Sequence, residues 1–163
     1  MILPAITIRQ PWASLIAIGT KRFETRAHPP PTKYIGQRIA IHAAARKERA
    51  DDIDTSTAVA VVSAFGAAMD GAVPQRPLGA VVCTAVLAGA GEIQACDWPG
   101  LDGRQAKMPK RMGTIPGAIT IDLFGDYSPN RWAWLLTDVE PIDPPAPAKG
   151  KQGWWMWDDG RVA

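Results

Sequence analysis

The sequence has few of the residues from which metal and redox sites are built. Its 163 residues include two cysteines, Cys83 and Cys96, and two histidines, His28 and His42. The histidines lie far apart and the cysteines lack the paired spacing of a zinc site, so the pattern predicts a protein without a metal or other cofactor. The sequence does not decide whether the two cysteines form a disulfide, although two thiols without an export signal are more typical of a reducing compartment.

Long apolar runs are also lacking. No segment has the length of about 20 apolar residues that a transmembrane helix requires. The beginning of the sequence lacks the basic and apolar regions of a secretory signal. We therefore expect a cytoplasmic protein that does not enter a membrane. The hydrophobic fraction of 47% is that of a folded globular protein, and the length fits a single domain over residues 1–163.

A strong net charge is lacking as well, but the charges are unevenly distributed. The formal net charge is +2, yet basic residues outnumber acidic ones eight to two between Gly19 and Arg49. A second basic group, with Lys107, Lys110 and Arg111, lies in a glycine- and proline-rich excursion over residues 97–116, which we expect to be a flexible loop. Such asymmetry is compatible with a basic face that meets phosphate, and equally with surface charges that pair locally.

Short apolar segments separated by glycine and proline predict an α+β domain. Helices are expected after Pro11 and over residues 55–69, where part of the second should pack on a sheet. Prolines 141–147 are expected to form an extended connector. The pattern favours a small mixed or closed β-sheet over a doubly wound parallel one, because regular strand–helix alternation is absent. The expected strands cover residues 5–8, 22–26, 36–42, 78–93, 118–121, 132–139 and 153–157.

The segment between Arg9 and Arg26 contains the candidate site. On a strand over residues 22–26, Arg22, Glu24 and Arg26 share one face, while Phe23 points into the core. Lys21 precedes this strand at a corner, where a long amine could extend over a cavity. Guanidinium groups suit phosphate or a base edge and a carboxylate suits an amino group, so the cluster could bind a polar ligand. A surface strand with exposed ion pairs would show the same pattern.

These residues belong to an ordered series of motifs that resembles the ASCH domain family. The resemblance covers roughly residues 2–157, the expected core of the domain. It implies a PUA-like fold, which is a small mixed β-barrel with flanking helices and a cleft beside the lysine. The motifs are Arg9-Gln10-Pro11-Trp12-Ala13, Gly19-x-Lys21-x-x-Glu24-x-Arg26, Gly36-x-Arg38-x-Ala40-Ile41-His42-Ala43, Gly125-Asp126-Tyr127 with Arg131-Trp132-Ala133-Trp134, and Lys149-Gly150-Lys151-Gln152-Gly153-Trp154-Trp155.

The resemblance also implies RNA, another single-stranded nucleic acid or a nucleoside as the partner. A coactivator-like module that binds a protein partner is an alternative. Trp12 could stack on a base or pack between helix and barrel. The same two roles, ligand contact and packing, are alternatives for Tyr127. The residues expected to bind a ligand are Arg9, Gln10, Trp12, Lys21, Glu24, Arg26, Lys107, Lys110, Arg111 and Tyr127.

Catalysis is a further alternative that the resemblance raises. One branch of the family hydrolyses N4-acetylcytidine with a lysine, a threonine and a glutamate, and another cleaves RNA. Lys21 matches the lysine, but Glu24 stands where the first branch has threonine, and Thr25 should point the opposite way. If the chain is an enzyme, we expect Lys21, Glu24 and Asp126 to be catalytic. Proton transfer by Lys21 would require loss of its charge, which Glu24 opposes, so the sequence supports binding better than turnover.

Overall fold

The computed structural model describes residues 1–47, 53–68, 76–93 and 124–160. The predicted strand at 118–121, the excursion at 97–116 and Cys96 lie outside these residues. The described elements are, in chain order, β1 (Ile2–Ile8), α1 (Trp12–Ala17), β2 (Phe23–Arg26), a 3-10 turn (Thr32–Tyr34), β3 (Arg38–Ala43), α2 (Thr55–Ala68), β4 (Ala80–Glu92), β5 (Trp132–Pro147) and β6 (Trp154–Asp158). Neither α-helix of the described part of the chain has the length and apolar character needed to cross a membrane.

The six strands form one mixed sheet in the order β2-β5-β4-β3-β1-β6. β1 and β3 are parallel, and all the other neighbours are antiparallel. The long β4–β5 ladder contains three register shifts, and such irregularities bend a strand pair and increase its twist. The sheet therefore curls into a half-barrel with two flanking helices, which confirms the predicted α+β class and the small mixed barrel.

Contacts between the two ends of the sheet show how far it curls. Trp134 of β5 stacks on Trp154 of β6, with ring centroids 5.7 Å apart and planes inclined by 16°. Arg26 of β2 donates from Nη2 to the main-chain oxygen of Thr7 on β1, at 3.1 Å. Strands that are not neighbours in the ladder are thus brought together across the open side of the barrel.

Branched side chains on the inner face of the sheet form the main core. Each such side chain contributes about 1.5–3 kcal/mol when it leaves water. Phe23 is buried as predicted, and Trp155 and Trp157 are buried as well. The largest fully buried apolar side chains of the main cluster are Ile16, Ile39, Ile41, Leu87 and Leu136.

The prediction of a connector over prolines 141–147 is wrong, because β5 continues through Pro147. β2 pairs with only the first four residues of β5, Trp132 to Leu135. Among the strands that the structure describes, the later half of β5 pairs with β4 alone, which leaves its other edge open. Proline is tolerated at such an edge, because its extended backbone fits a strand and its missing N–H does not break a second ladder.

The packing of α2 also differs from the prediction. Val61 and Phe65 of α2 are buried against Leu15 of α1 and against Phe124, and this cluster contains no strand residue. Because α2 is apolar around much of its circumference, its sequence could not indicate which neighbour it contacts. Asp54 caps the helix: its carboxylate accepts from the main-chain N–H of Thr57 at 3.0 Å, and its hydrogen bonds hold its pKa far below the usual value.

Candidate functional site

Lys21 is buried at the corner between α1 and β2. Gly19, with a positive φ of 76°, turns the chain after the helix. The main-chain N–H of Lys21 donates to Leu15 O at 3.0 Å, which fixes the corner against α1. The side chain turns inward instead of extending over an open cavity: Nζ donates to Phe23 O and, at 2.7 Å, to Phe124 O, and the residue is 1% exposed.

Glu24 and Arg26 complete a charged cluster with this amine. One Glu24 oxygen lies 4.0 Å from Lys21 Nζ, and the other lies 2.8 Å from Arg26 Nε. The Arg26 N–H is not aligned for a hydrogen bond, so we describe this short contact as an ion pair. Glu24 is buried, whereas the side chain of Arg26 is 38% exposed. The alternative of a surface strand with exposed ion pairs is therefore excluded for Lys21 and Glu24.

The cluster brings two basic side chains, Lys21 and Arg26, against one acidic side chain, Glu24. Lysine is almost never fully buried unless it is paired, because removing an ion from water costs several kcal/mol. A buried charge cluster of this kind marks a candidate functional site.

Trp12 covers the amine from the side of α1. Its ring centroid lies 6.0 Å from Lys21 Nζ and 6.3 Å from the centroid of Phe124. Trp12 is partly buried against both the main core and the α1–α2 cluster. The structure thus shows the packing role that the sequence left open, and part of the ring stays exposed.

Comparison with known proteins identifies the family. The model of the ASCH domain matches residues 6–145. The chain belongs to the ASCH domain family. This family is associated with RNA binding. The crystal structure of ASCH from Zymomonas mobilis is similar with a TM-score of 0.48 and 17% identity, covering 96% of this chain and 87% of that one. A mutant of the same Zymomonas mobilis protein gives a TM-score of 0.45 and 19% identity, covering 88% and 74%. No curated protein sequence matches the chain.

Two of the predicted ligand-binding residues precede α1 in this ASCH domain. Gln10 is buried and internally bonded: Nε2 donates to Ser14 Oγ and Pro77 O, both at 2.8 Å, and Oε1 accepts from Ser14 N at 3.1 Å. Its amide therefore ties α1 to the segment before β4. Arg9, one residue after β1, is exposed.

Asp126 and Tyr127 contact the other face of β2. The main-chain N–H of Asp126 donates to Thr25 Oγ1 at 3.0 Å, and its carboxylate lies 3.3 Å from Arg131 Nε. Tyr127 packs on the cluster around Phe23. As predicted, Thr25 points away from Glu24, towards the segment that contains Asp126. The structure thus joins Lys21, Glu24, Arg26 and Trp12, and places Asp126 with Arg131.

Several residues of the cluster are not among the predicted site residues. Phe124 and Thr7 contribute main-chain oxygens, and no side-chain pattern identifies such a contribution. The ring of Trp134 has its centroid 5.9 Å from Arg26 Cζ, and its place in the Arg131–Trp134 motif is a signal that could have indicated it. Lys107, Lys110 and Arg111 lie outside the described residues.

The remaining chemical groups have structural roles. Burial raises the pKa of the Cys83 thiol to about 12, which keeps it protonated and unreactive. His42 is buried and bonded through Nε2 to Ala148 O at 3.0 Å. In the described part of the chain, no group of three His, Cys, Asp or Glu side chains could hold a metal ion.

Proposed function

We propose that this ASCH domain binds single-stranded RNA, or one of its nucleobases, at the cluster of Lys21, Glu24 and Arg26. The observation that carries the proposal is the partly exposed guanidinium of Arg26, held beside the buried side chains of Glu24 and Lys21. Positive charge held in a poorly solvated place attracts phosphate more strongly than the same charge in water.

The partly exposed guanidinium is the group best placed to contact a ligand. Glu24 and Thr7 O engage Nε and Nη2 of Arg26, and none of the described residues bonds its Nη1. Nη1 can therefore donate to a phosphate oxygen or to an acceptor on a base edge. In this proposal Lys21 holds the cluster together and supplies charge, and does not itself touch the ligand.

Aromatic side chains beside the cluster support a base as the second part of the ligand. Trp12 is partly exposed, and its ring centroid lies 6.0 Å from the buried amine. Stacking of a base on an aromatic ring contributes about 1–3 kcal/mol and tolerates any base. We place Arg9 at the margin of this site, and propose Lys107, Lys110 and Arg111 as further contacts to phosphate. Tyr127 lies on the other face of β2 and is not part of this proposal.

The first experiment measures binding of a fluorescent single-stranded RNA by anisotropy. Arg26→Gln should weaken binding roughly tenfold or more, because a hydrogen bond to a charged group contributes about 1.5–3 kcal/mol. Arg38→Gln is the matched control: Arg38 also lies on a strand, also pairs with a glutamate, Glu140 at 3.0 Å, and also donates to a main-chain oxygen, Asp138 O at 3.0 Å.

The control separates loss of a contact from loss of one charge. If both variants weaken binding equally, RNA is attracted by overall charge and the cluster is not its site. RNA affinity should also fall as salt concentration rises, because phosphate contacts release counterions. An affinity that does not change with salt would contradict a phosphate contact.

Hydrolysis of a modified nucleoside or of RNA is the second candidate. The observation that favours it is the presence of a buried lysine beside a carboxylate, 4.0 Å apart, since both are group types that general acid–base catalysis uses. The two main-chain carbonyls that accept from Nζ and the orientation of Thr25 oppose it. Incubation with N4-acetylcytidine and with RNA distinguishes the candidates: turnover that Lys21→Met abolishes, in a variant with unchanged circular dichroism, would favour the hydrolase.

A further inference from the structure

The loop between β5 and β6, residues 148–153, crosses the end of the sheet. Ala148 N donates to Gly79 O, just before β4, at 3.0 Å. Ala148 O then contacts His42 Nε2 of β3 at 3.0 Å, and Lys151 O accepts from Thr7 Oγ1 of β1 at 2.8 Å. The loop, called here the crossing loop, is therefore bonded in turn to the ends of three neighbouring strands before it enters β6.

Close packing fixes the crossing loop in place. A Cβ atom at Gly150 would lie 2.2 Å from Cε1 and 2.5 Å from Nδ1 of His42. The ring of His42 cannot withdraw, because it is 1% exposed and its edge meets Trp155 at a centroid distance of 5.6 Å. Lys149 and Lys151, on either side of Gly150, are exposed and pair with no acid in the described part of the chain.

Other basic side chains lie at the same end of the sheet. Hydrogen bonds of 2.9 Å from Ala44 N to Ile8 O, and from Gly79 N to Ala43 O, join the loops that follow β1 and β3 to the one that precedes β4. The described residues 9–11, 44–47, 76–79 and 148–153 contain no aspartate or glutamate, although Glu48 follows Lys47 in the sequence. Arg46 and Arg76 are engaged in other interactions, so the basic surface does not include them. The exposed basic residues that form it are Arg9, Lys47, Lys149 and Lys151.

This basic surface begins at the Arg26 cluster. Thr7 belongs to both, because its main-chain oxygen accepts from Arg26 Nη2 and its hydroxyl donates to Lys151 O. The surface extends from β6 across β1 and β3 to β4, which are separated by three spacings between neighbouring strands. At roughly 4.8 Å per spacing, its length is about 14 Å. A line of cations of this length suits a chain of phosphates better than a single anion.

We propose that the basic surface of Arg9, Lys47, Lys149 and Lys151 binds the phosphate backbone of the RNA strand that occupies the Arg26 cluster. The inference rests on the proposed function. It adds the course of the bound RNA over the protein surface, from the Arg26 cluster along the crossing loop. Phosphate contacts of this kind set the register and orientation of a nucleic acid without reading its sequence.

The test compares two double variants by anisotropy at several salt concentrations. Lys149→Gln with Lys151→Gln removes two charges from the basic surface. Lys33→Gln with Arg38→Gln removes two charges at the opposite end of β3 and serves as the matched control. We expect the first pair to reduce the slope of log affinity against log salt by about 1.4, because each lost phosphate contact in a single strand contributes about 0.7. The control pair should leave the slope unchanged.

A second ligand makes failure of the inference distinct from failure of the proposed function. Binding of a mononucleotide should depend on Arg26 and be unaffected by the Lys149/Lys151 double variant, because it is too short to reach the crossing loop. If RNA binding requires Arg26 but keeps its full salt slope in that variant, the inference is overturned and the proposed function stands. If RNA does not bind the wild-type protein, the inference is overturned together with the proposed function. A polyglutamate peptide serves as an acidic ligand without phosphate. If the double variant loses affinity for this peptide but not for RNA, the inference is overturned as well.

Discussion

Gly150 packs so closely on His42 that a single methyl group should disturb the crossing loop. Gly150→Ala would bring Cβ to 2.2 Å from His42 Cε1, well inside contact distance. We expect the free energy of unfolding to fall by about 1–3 kcal/mol, the usual cost of overpacking. Urea denaturation measures this loss. In a His42→Ala background the same substitution should cost much less, and an equal cost in both backgrounds would show that the ring is not the obstacle.

His42 should make the stability of the fold dependent on pH. Burial lowers the pKa of its imidazole, while its hydrogen bond to Ala148 O acts in the opposite sense and only partly offsets this. As the pH falls below the unfolded-state pKa of about 6.5, the unfolded chain binds a proton that the folded chain does not. The free energy of unfolding should therefore be highest above this pH and decrease below it.

Denaturation with urea at a series of pH values between about 5.5 and 8 tests this expectation. His42→Gln should remove most of the decrease. His28→Gln, at the exposed second histidine, should retain it. A decrease that persists unchanged in His42→Gln would assign the effect to other groups.

Among the elements, helix α2 contains a glycine that lowers the stability of the helix. Gly66 lies within the helix and is exposed, and a Cβ atom there would meet nothing within 4 Å. Glycine inside a helix costs about 0.5–1 kcal/mol relative to alanine, because it loses more backbone freedom on folding. We expect Gly66→Ala to raise the free energy of unfolding by this amount. An unchanged or lower value in thermal and urea denaturation would contradict the helical assignment at this position.

The elements also show what the sequence could predict. The strands at β1, β2, β3, β4 and β6 follow from apolar alternation and from the glycines and prolines around them. The proline-rich half of β5 was not predictable in the same way. Proline is excluded from a central strand but accepted at an open edge, and only the sheet order shows that β2 covers just four residues of β5. Local pattern thus predicts an element, whereas its neighbours decide where it ends.

The same distinction applies to the candidate site within the whole molecule. The motif with Lys21, Glu24 and Arg26 was identifiable from the sequence, and so was the inward orientation of Phe23. The burial of Lys21 was not, because it depends on Phe124 O, which comes from a segment 103 residues further along the chain. The contact of Arg26 with Thr7 depends on the curl of the sheet, which brings the strands at its two ends together.

Closure of the half-barrel should therefore depend on the stacked pair of Trp134 and Trp154. The two rings join β5 to β6 across the open side, with centroids 5.7 Å apart. A double-mutant cycle with Trp134→Leu and Trp154→Leu should give a coupling energy of about 0.5–1.5 kcal/mol, the usual contribution of an aromatic pair beyond its buried area. The cycle cancels the separate loss of the hydrogen bond from Trp134 Nε1 to His28 O.

Met156 provides the control for this cycle, because it lies on the same strand as Trp154 and is 54% exposed. Trp134→Leu combined with Met156→Ala should show a coupling energy near zero, because Met156 contributes no ring to the stacked pair. Trp154→Leu should also weaken RNA binding, because opening the barrel moves Thr7 away from Arg26 and separates the cluster from the crossing loop. A stable Trp154→Leu variant with zero coupling and full RNA affinity would show that closure depends on the Arg26–Thr7 hydrogen bond and not on the rings.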